Sequence, residues 1–259
     1  MPITTEVAEL ESSANTTTYT SPAFTPTAKS ILVAIVSTAG LGAGSAGAFS
    51  DTGMGLTWTT VFSSSTADAA SNWVTWGWAL VGASPVSTTV VYTTNRGTGT
   101  YCHMEVYQAI AADPANPIRQ STTGTGTGID PTLAFVSALL GTNSYIAVAD
   151  KGTTGASFTA QSGWTQDTNG VYNGGSPDRQ CSAQHRDGDE STALTVVFDF
   201  AANSVTFTVV LIEVASSGFG SQVIWIMTFD RWIMEKLNQL RHWWRWSRLQ
   251  RKYGEGVTI

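Results

Sequence analysis

Charged residues are scarce in this chain. Of its 259 residues, 12% are Asp, Glu, Lys or Arg, which is about half the share usual in globular proteins. Thr, Ser, Gly and Ala take their place, rather than long apolar runs. This composition is typical of exposed β-rich proteins and argues against a metabolic enzyme.

The sequence shows neither a membrane span nor a secretory leader. The apolar run Val223–Met234 has twelve residues and contains Asp230 and Arg231, whereas a transmembrane helix needs about 20 apolar residues. Residues 1–7 have neither the basic region nor the apolar core of a signal peptide. We therefore expect a protein made in the cytoplasm of its host and not exported by a leader.

Cysteine and the common catalytic motifs are also lacking. Cys102 and Cys181 are too few for a disulfide framework, so we expect two reduced, buried thiols. His103, His185 and His242 are scattered, and this predicts no metal site. There is neither a Gly-x-Ser-x-Gly elbow nor a phosphate-binding Gly-Lys-Ser/Thr. The sequence predicts no cofactor and no enzymatic activity.

Short apolar and Thr-rich runs, separated by turn residues, fill the chain as far as residue 217. Ile31–Val36 is a continuous apolar run that suits a strand buried on both faces. Strands at a spacing of about 8–12 residues predict an antiparallel β-sandwich or jelly roll over residues 31–217. Residues 1–30 are predicted to form an N-terminal arm with one edge strand near Thr4–Leu10. Further strands are predicted at Thr57–Ser63, Asn72–Val81, Thr88–Thr93 and Tyr101–Ile110.

The strand pattern recurs after the low-complexity stretch Thr122–Gly128, which we expect to be a flexible connection. A steady offset predicts an internal duplication with half-repeats 31–112 and 143–216. Chance similarity between short β strings is the alternative. Tyr145–Asp150 resembles Ile31–Val36, Gly163–Thr165 resembles Leu56–Thr59, and Ile212–Val214 resembles Met104–Val106.

Three motifs carry a resemblance to a known class of protein: Asp51 with Gly55-Leu-Thr-Trp58, Met104–Tyr107 and Asp113–Ile118. Together they resemble a module common in bacteriophage tail and virion-surface proteins, over about residues 20–216. The resemblance implies a non-enzymatic structural component of a tailed-phage virion, of tail-fibre, baseplate or head-decoration type. Its implied location is the virion and its implied partners are other virion proteins. It brings no catalytic residues with it.

The C-terminal segment, residues 221–259, differs from everything before it. It holds seven basic and three acidic residues, a net charge of +4, whereas residues 1–220 hold six and 16, a net charge of −10. Five of the ten Trp also lie there, and neither Pro nor Gly interrupts it before Gly254. Apolar residues at helical spacing predict an amphipathic α-helix that anchors the β domain.

The predicted helix has three interpretations. It could lie in a membrane interface, contact nucleic acid through its Arg residues, or dock against other protein chains. We favour docking, because burial against protein covers the aromatic side chains, and we expect neither nucleic acid nor membrane as a partner. The broad apolar face suggests a trimer or higher homo-oligomer, or insertion between subunits. The predicted docking residues are Ile226, Phe229, Trp232, Ile233, Leu237, Leu240 and Trp244.

Two further groups of residues are candidate binding sites. Asp187, Asp189 and Glu190 could bind Ca²⁺, although we favour an Asp-Gly hairpin at this point. Trp73, Trp76 and Trp78 could include a platform for a host glycan, although core packing is the interpretation we prefer. A glycan-binding adhesin is therefore the alternative function. A glycan-cleaving enzyme is a third, since carboxylates such as Asp150, Asp167 and Asp178 are present, but nothing pairs two of them.

The docking interpretation predicts which tail residues matter for assembly. Replacing Leu237 and Leu240 together by Asp should release the protein from its assembly while the β domain stays folded. The physical reason is that even truncation of one buried Leu to Ala costs about 2–5 kcal/mol. Sedimentation of the assembly, with circular dichroism of the released chain, measures this.

The matched control neutralises Arg241, Arg245 and Arg248, since exposed charges each contribute less than about 1 kcal/mol. These changes should leave incorporation nearly intact. Loss of incorporation in the Arg variant, with normal incorporation in the Leu variant, would show that the tail is an electrostatic ligand instead.

Overall fold

A computed structural model describes most of the first 217 residues. The chain divides into two units, Met1–Ser217 and Gly218–Ile259. The second unit lies outside the described residues, and so do the helix predicted there and all of its docking residues. The residues described are 3–39, 47–65, 73–94, 101–128, 132–135, 137, 140, 142–151, 158–172, 179–188, 195–197, 199–200 and 205–217.

The described residues form seventeen β-strands and no helix, which confirms the prediction of a mainly β fold. All strand pairs are antiparallel. The strands are β1 (Ile3–Ser12), β2 (Thr18–Thr20), β3 (Ile31–Ala39), β4 (Ala48–Thr52), β5 (Trp58–Ser65), β6 (Trp73–Leu80), β7 (Thr89–Thr93), β8 (Tyr101–Ile110), β9 (Ile118–Gly128), β10 (Thr132–Ala134), β11 (Ser144–Lys151), β12 (Phe158–Thr159), β13 (Thr165–Tyr172), β14 (Arg179–Asp187), β15 (Thr195–Val197), β16 (Asp199–Phe200) and β17 (Val205–Val214).

Two five-stranded sheets have the same strand order. The first sheet runs β1-β8-β3-β6-β5, and the second runs β9-β17-β11-β14-β13. The smaller sheets correspond as well: β2-β7-β4 in the first half of the chain, and β10-β15 with β12-β16 in the second. Each strand of the first half therefore has a counterpart in the second, with β15 and β16 together in the position of β7.

The two five-stranded sheets share one hydrophobic cluster, which we call the central cluster. Val33, Ile35 and Trp76 enter it from the first sheet, and Val148 and Val210 enter it from the second. Because successive side chains of a strand point to opposite faces, the residues between these positions face away from the central cluster. The sheets thus pack face to face, and the fold is sandwich-like.

A second layer covers the outer face of each five-stranded sheet. In the first half, Phe49 and Tyr92 of the three-stranded sheet pack with Ala34 and Met104. This explains the continuous apolar run Ile31–Val36, because β3 is buried on both faces. In the second half, the outer cluster contains Phe135, Tyr145, Ala147, Ala149, Trp164, Val209 and Leu211.

Not every local sequence match between the two halves corresponds to a structural equivalence. Glu105 pairs with Ile35, which lies in the central cluster, whereas Glu213 pairs with Tyr145, which lies in an outer cluster. Directly paired residues share a face, so the matched Glu residues stand on opposite faces of their sheets. A slip of one residue moves a side chain to the other face. The match between Met104–Val106 and Ile212–Val214 is therefore not a structural equivalence.

Asp51 explains the loop that contains Gly55-Leu-Thr-Trp58, one of the three motifs singled out in the sequence. Its carboxylate accepts hydrogen bonds from the backbone N–H groups of Met54 and Gly55, each at 2.9 Å, and of Leu56 at 2.6 Å. The chain turns through Gly53 and Gly55, whose φ angles are +106° and +62°, and such angles favour glycine. The motif thus builds a tight loop before β5.

The predicted N-terminal arm is wrong as a separate region. β1, an edge strand close to the predicted one, pairs along its length with β8, and β2 pairs with β7 in the three-stranded sheet. Thr4 is buried and bonds to Ser144 and Asp187 of the second sheet. Residues 3–30 therefore belong to the folded β unit, because backbone pairing and contacts of this kind do not require an apolar sequence.

The predicted flexible connection Thr122–Gly128 is also wrong, since these residues form most of β9. Backbone pairing with β17 satisfies this segment without large side chains. At Gly124 a Cβ atom would lie 3.0 Å from Cδ1 of Leu133. Glycine at this position therefore lets β10 pass closely over β9.

We expect residues 1–217 to fold without the C-terminal segment. The strand pairs and the hydrophobic clusters described above all lie within this range. Far-UV circular dichroism of the fragment should show a mainly β spectrum, with cooperative thermal unfolding. A strongly helical spectrum, or a fragment that never acquires structure, would contradict this expectation.

Candidate functional site

Ionisable side chains gather on the central face of the β1–β8 pair. Glu9 lies directly opposite Glu105, and Glu11 lies directly opposite His103. Because Glu9 and Glu11, like His103 and Glu105, are two residues apart on a strand, all four side chains share one face. We call these four residues the acidic block.

The acidic block is closely packed around the imidazole of His103. Nε2 of His103 lies 2.7 Å from Oε1 of Glu105 and 3.9 Å from Oε1 of Glu9, while Nδ1 lies 3.9 Å from Oε1 of Glu11. The side chains of His103 and Glu105 are 1% and 0% exposed, whereas those of Glu9 and Glu11 are 36% and 45% exposed. The block thus has a buried end on β8 and an open end on the edge strand β1.

Burial dominates the electrostatics of the buried end. It raises the pKa of Glu105 well above its usual value, and the nearby carboxylates of Glu9 and Asp167 add to the effect. Burial lowers the pKa of His103, against the opposing attraction of Glu9 and Glu11. Oε2 of Glu105 has no hydrogen-bond partner among the described residues. Both buried groups therefore favour their neutral forms.

The acidic block reaches across to the second sheet. Thr168 donates its hydroxyl hydrogen to Oε1 of Glu9. Nearby, Tyr107 donates to Oδ2 of Asp167 at 3.0 Å, and Nδ1 of His185 lies 2.7 Å and 2.9 Å from the two oxygens of Asp167. Asp167 lies within the β-bulge of β13, which places its carboxylate between the sheets. These contacts join β1 and β8 to β13 and β14.

Further polar contacts extend this part of the interface between the sheets. Thr4 donates its backbone N–H to Oδ1 of Asp187 at 3.0 Å and its hydroxyl to Oγ of Ser144 at 2.7 Å. Ser37 donates to Oδ2 of Asp150, and both side chains are buried. The sheets are therefore joined by a polar network beside the central cluster.

The predicted candidate sites fall in several places. Asp187 contacts the edge strand β1 through Thr4, and Asp189 and Glu190 lie outside the described residues, so the Ca²⁺ interpretation stays untested. Trp76 is fully buried in the central cluster, which makes its assignment as a glycan contact wrong. Core packing, the preferred interpretation of the three Trp residues, accounts for the position of Trp76.

Trp78 is partly buried against the central cluster, and Trp73 is the first residue of β6, but its side chain is not among those described. Cys102 and Cys181 are both buried and unbridged. Of the acidic residues considered for glycan cleavage, Asp150 and Asp167 bond to Ser37 and Tyr107, respectively. Asp178 lies outside the described residues.

The sequence analysis missed the acidic block. The available signal was the alternation of Glu9 with Glu11 and of His103 with Glu105 along two strands, which places each pair on one face. Pairing between β1 and β8 joins segments at least ninety positions apart. No local pattern in the sequence specifies that pairing.

No helix that could cross a membrane occurs in the part of the chain that the structure describes. Comparisons of the chain with protein-family models, with curated proteins and with solved structures found no match.

The polar network predicts that acid stabilises the fold. Burial, together with the charges of Glu105, Glu9 and Asp167, raises the pKa of Glu6 to about 7. A raised folded-state pKa means that the stabilising proton is held at acidic pH and is lost as the pH rises through about 7. The pKa values of His185 and Asp187 are also raised and act in the same direction, whereas the lowered pKa of His103 opposes them.

We expect the Tm of the chain to fall by a few °C between pH 5 and pH 8. Differential scanning calorimetry in buffers of equal ionic strength measures this. In Glu6→Gln the decline should be shallower, because one titrating group is gone. Asp113→Asn should keep the wild-type slope, because its side chain only accepts a hydrogen bond from Ala115 in an exposed turn and takes no part in the polar network described above. A Tm that rises over this range would contradict the prediction.

Proposed function

We propose that the chain is a non-enzymatic structural component of a tailed-phage virion. In this proposal the β unit is an internally duplicated jelly roll displayed on the particle, and the C-terminal segment holds it there. The observation that carries the proposal is the order of the strands, which is the same in both halves of the unit.

The strand order supports a jelly-roll assignment for each half. In a jelly roll of eight strands, the first, eighth, third and sixth strands lie side by side, and the second, seventh and fourth lie in the facing sheet. The first half has this arrangement, with β5 placed beside β6. The second half repeats it when β15 and β16 are taken as one strand. Viral capsid proteins and lectins are typical users of this architecture.

The packing of the halves supports a duplicated unit that acts as one body. The broad sheet of each half is buried against the broad sheet of the other, through the central cluster. The polar network adds hydrogen bonds between Thr4 and Ser144, and between Tyr107 and Asp167. A fused pair of this kind suits a structural subunit, because its two halves cannot separate without exposing their cores.

The proposed partners are other virion proteins and further copies of the chain, as a trimer or higher oligomer. The basis is the composition of the C-terminal segment, whose five Trp residues need cover. The motifs of the phage-like module point the same way, because Asp51 and its glycines build a structural loop and not a reactive centre.

A carbohydrate-binding adhesin is the second candidate, because lectins share the jelly-roll architecture. Burial of Trp76 weakens this candidate, and Trp78 is partly covered by the central cluster. An adhesin of this fold would therefore need another aromatic or polar surface for the sugar.

The proposal is tested on particles of a phage that encodes the chain. We expect mass spectrometry of gradient-purified virions to detect the chain in several copies per particle, and subunit-resolution imaging to place it at one defined position. Detection only in the soluble fraction of the lysate would contradict a structural role. A small label attached to the C-terminus would show, in images of the particle, whether that end of the chain faces the particle.

A second experiment distinguishes the structural role from the adhesin and from the glycan-cleaving enzyme. The full-length chain is applied to an array of host polysaccharides and is incubated with the same polysaccharides in solution. A structural role predicts neither binding nor release of reducing ends. Saturable glycan binding would favour the adhesin, and reducing ends that disappear in an Asp150→Asn or Asp167→Asn variant would favour the enzyme.

A further inference from the structure

We propose that Glu9, Glu11 and His103 form a binding site for a divalent first-row transition-metal ion, for which Zn²⁺ is the probe. The site would lie at the open end of the acidic block, where the edge strand β1 meets β8. It is independent of the proposed virion role, since it rests on these side chains alone.

The geometry of the three side chains suits one ion. One potential ligand atom from each of them lies within 4.8 Å of the other two. Zn²⁺ binds imidazole nitrogen and carboxylate oxygen at about 2.0–2.2 Å, so two ligands of one ion lie roughly 3–4 Å apart. Nδ1 of His103 lies 3.9 Å from Oε1 of Glu11, which is close to this range. Glu9 lies 3.9 Å from Nε2, the ring nitrogen that contacts Glu105, and would turn toward Nδ1 to complete the site. Both Glu side chains are partly exposed, so they can close the remaining gap by small rotations.

Glu105 provides an independent indication of a cation. This side chain is fully buried, and its Oε2 has no hydrogen-bond partner among the described residues. The hydroxyl of Thr168 lies beside both carboxyl groups, and its hydrogen is donated to Glu9. Burial favours the neutral form of this carboxyl group of Glu105, and a buried polar oxygen without a hydrogen bond is costly even when it is uncharged. A cation beside His103 would supply the positive charge that the block otherwise lacks.

Glu105 also stands where a metal-binding histidine is usually supported. Its Oε1 lies 2.7 Å from Nε2 of His103. Metal-binding imidazoles commonly place one ring nitrogen against a carboxylate, which fixes the orientation of the ring. Glu105 would therefore act as the positioning residue, while Glu9, Glu11 and the imidazole contact the ion.

The donor set selects the type of ion. Ca²⁺ and Mg²⁺ prefer all-oxygen sites with six or more ligands, whereas imidazole with carboxylates suits Zn²⁺ and related transition metals. The exposed end of the block leaves room for an ion to enter and for water to complete the coordination. We therefore expect Zn²⁺ to bind in preference to Ca²⁺.

The placement of the ligands gives the ion a structural effect. Glu9 and Glu11 lie on the edge strand β1, and His103 lies on the neighbouring β8. Glu9 also accepts a hydrogen bond from Thr168 of the second sheet. A bound ion would fasten the edge strand at the junction of the two sheets, and it would raise the stability of the folded chain by mass action.

The test uses the full-length chain, stripped of metal with a chelator and dialysed. ZnCl₂, MnCl₂, CaCl₂ and MgCl₂ are titrated by isothermal calorimetry, and thermal unfolding is followed at each saturating concentration. We expect Zn²⁺ to bind and, at about 100 times its Kd, to raise the Tm by roughly 5 °C or more. Ca²⁺ and Mg²⁺ should change the Tm little.

Glu11→Gln is the decisive variant, because Glu11 is half exposed on an edge strand and its replacement should leave the fold intact. We expect at least about a tenfold loss of Zn²⁺ affinity and loss of the thermal shift. Asp113→Asn, a matched loss of one carboxylate in an exposed turn outside the site, should bind as the wild type does. Circular dichroism checks that both variants are folded.

Imidazole NMR signals give a readout that does not depend on stability. The chain has three His residues, and Zn²⁺ should shift the signals of one, identified by its absence in His103→Gln. The proposal is overturned if the wild type does not bind Zn²⁺, if Glu11→Gln binds it as tightly as the wild type, or if another His responds in place of His103.

Discussion

The burial of two broad sheets against each other is the contact on which the rest of the structure depends. Each five-stranded sheet has an inner face in the central cluster and an outer face under a smaller sheet or loop. Burial of apolar area is the largest favourable contribution to folding. The middle strands β3 and β11 are consequently buried on both sides, and every other element is arranged to cover them.

The same contact between the sheets sets the electrostatic environment of the buried ionisable side chains. Beside the central cluster the facing surfaces become polar, and Glu105, His103 and Asp167 lie between the sheets with few cations to balance them. Water is largely excluded there, so the charged forms of Glu105 and His103 are disfavoured. The apolar centre of this interface stabilises the fold, and its polar rim makes the stability depend on pH.

The apolar central cluster and the polar network beside it are compatible with one structural role. In the proposed virion role, a fused pair of jelly rolls would give a particle a durable surface module, and the polar block would fix the edge strand β1 of its first sheet. Edge strands are where β proteins are most open to unwanted pairing. Charged residues such as Glu9 and Glu11 on β1 discourage another strand from adding there, whether or not an ion is bound.

The sequence by itself determined the β class and the most buried strand. Ile31–Val36 is apolar at every position, which predicted a strand covered on both sides, and its residues do divide between the central cluster and an outer cluster. Only the tertiary structure decided which face each repeat residue takes, as Glu105 and Glu213 show. It also decided that Glu11 meets His103. The physical reason is that side-chain alternation is local, whereas strand pairing and register arise from contacts between segments far apart in the chain.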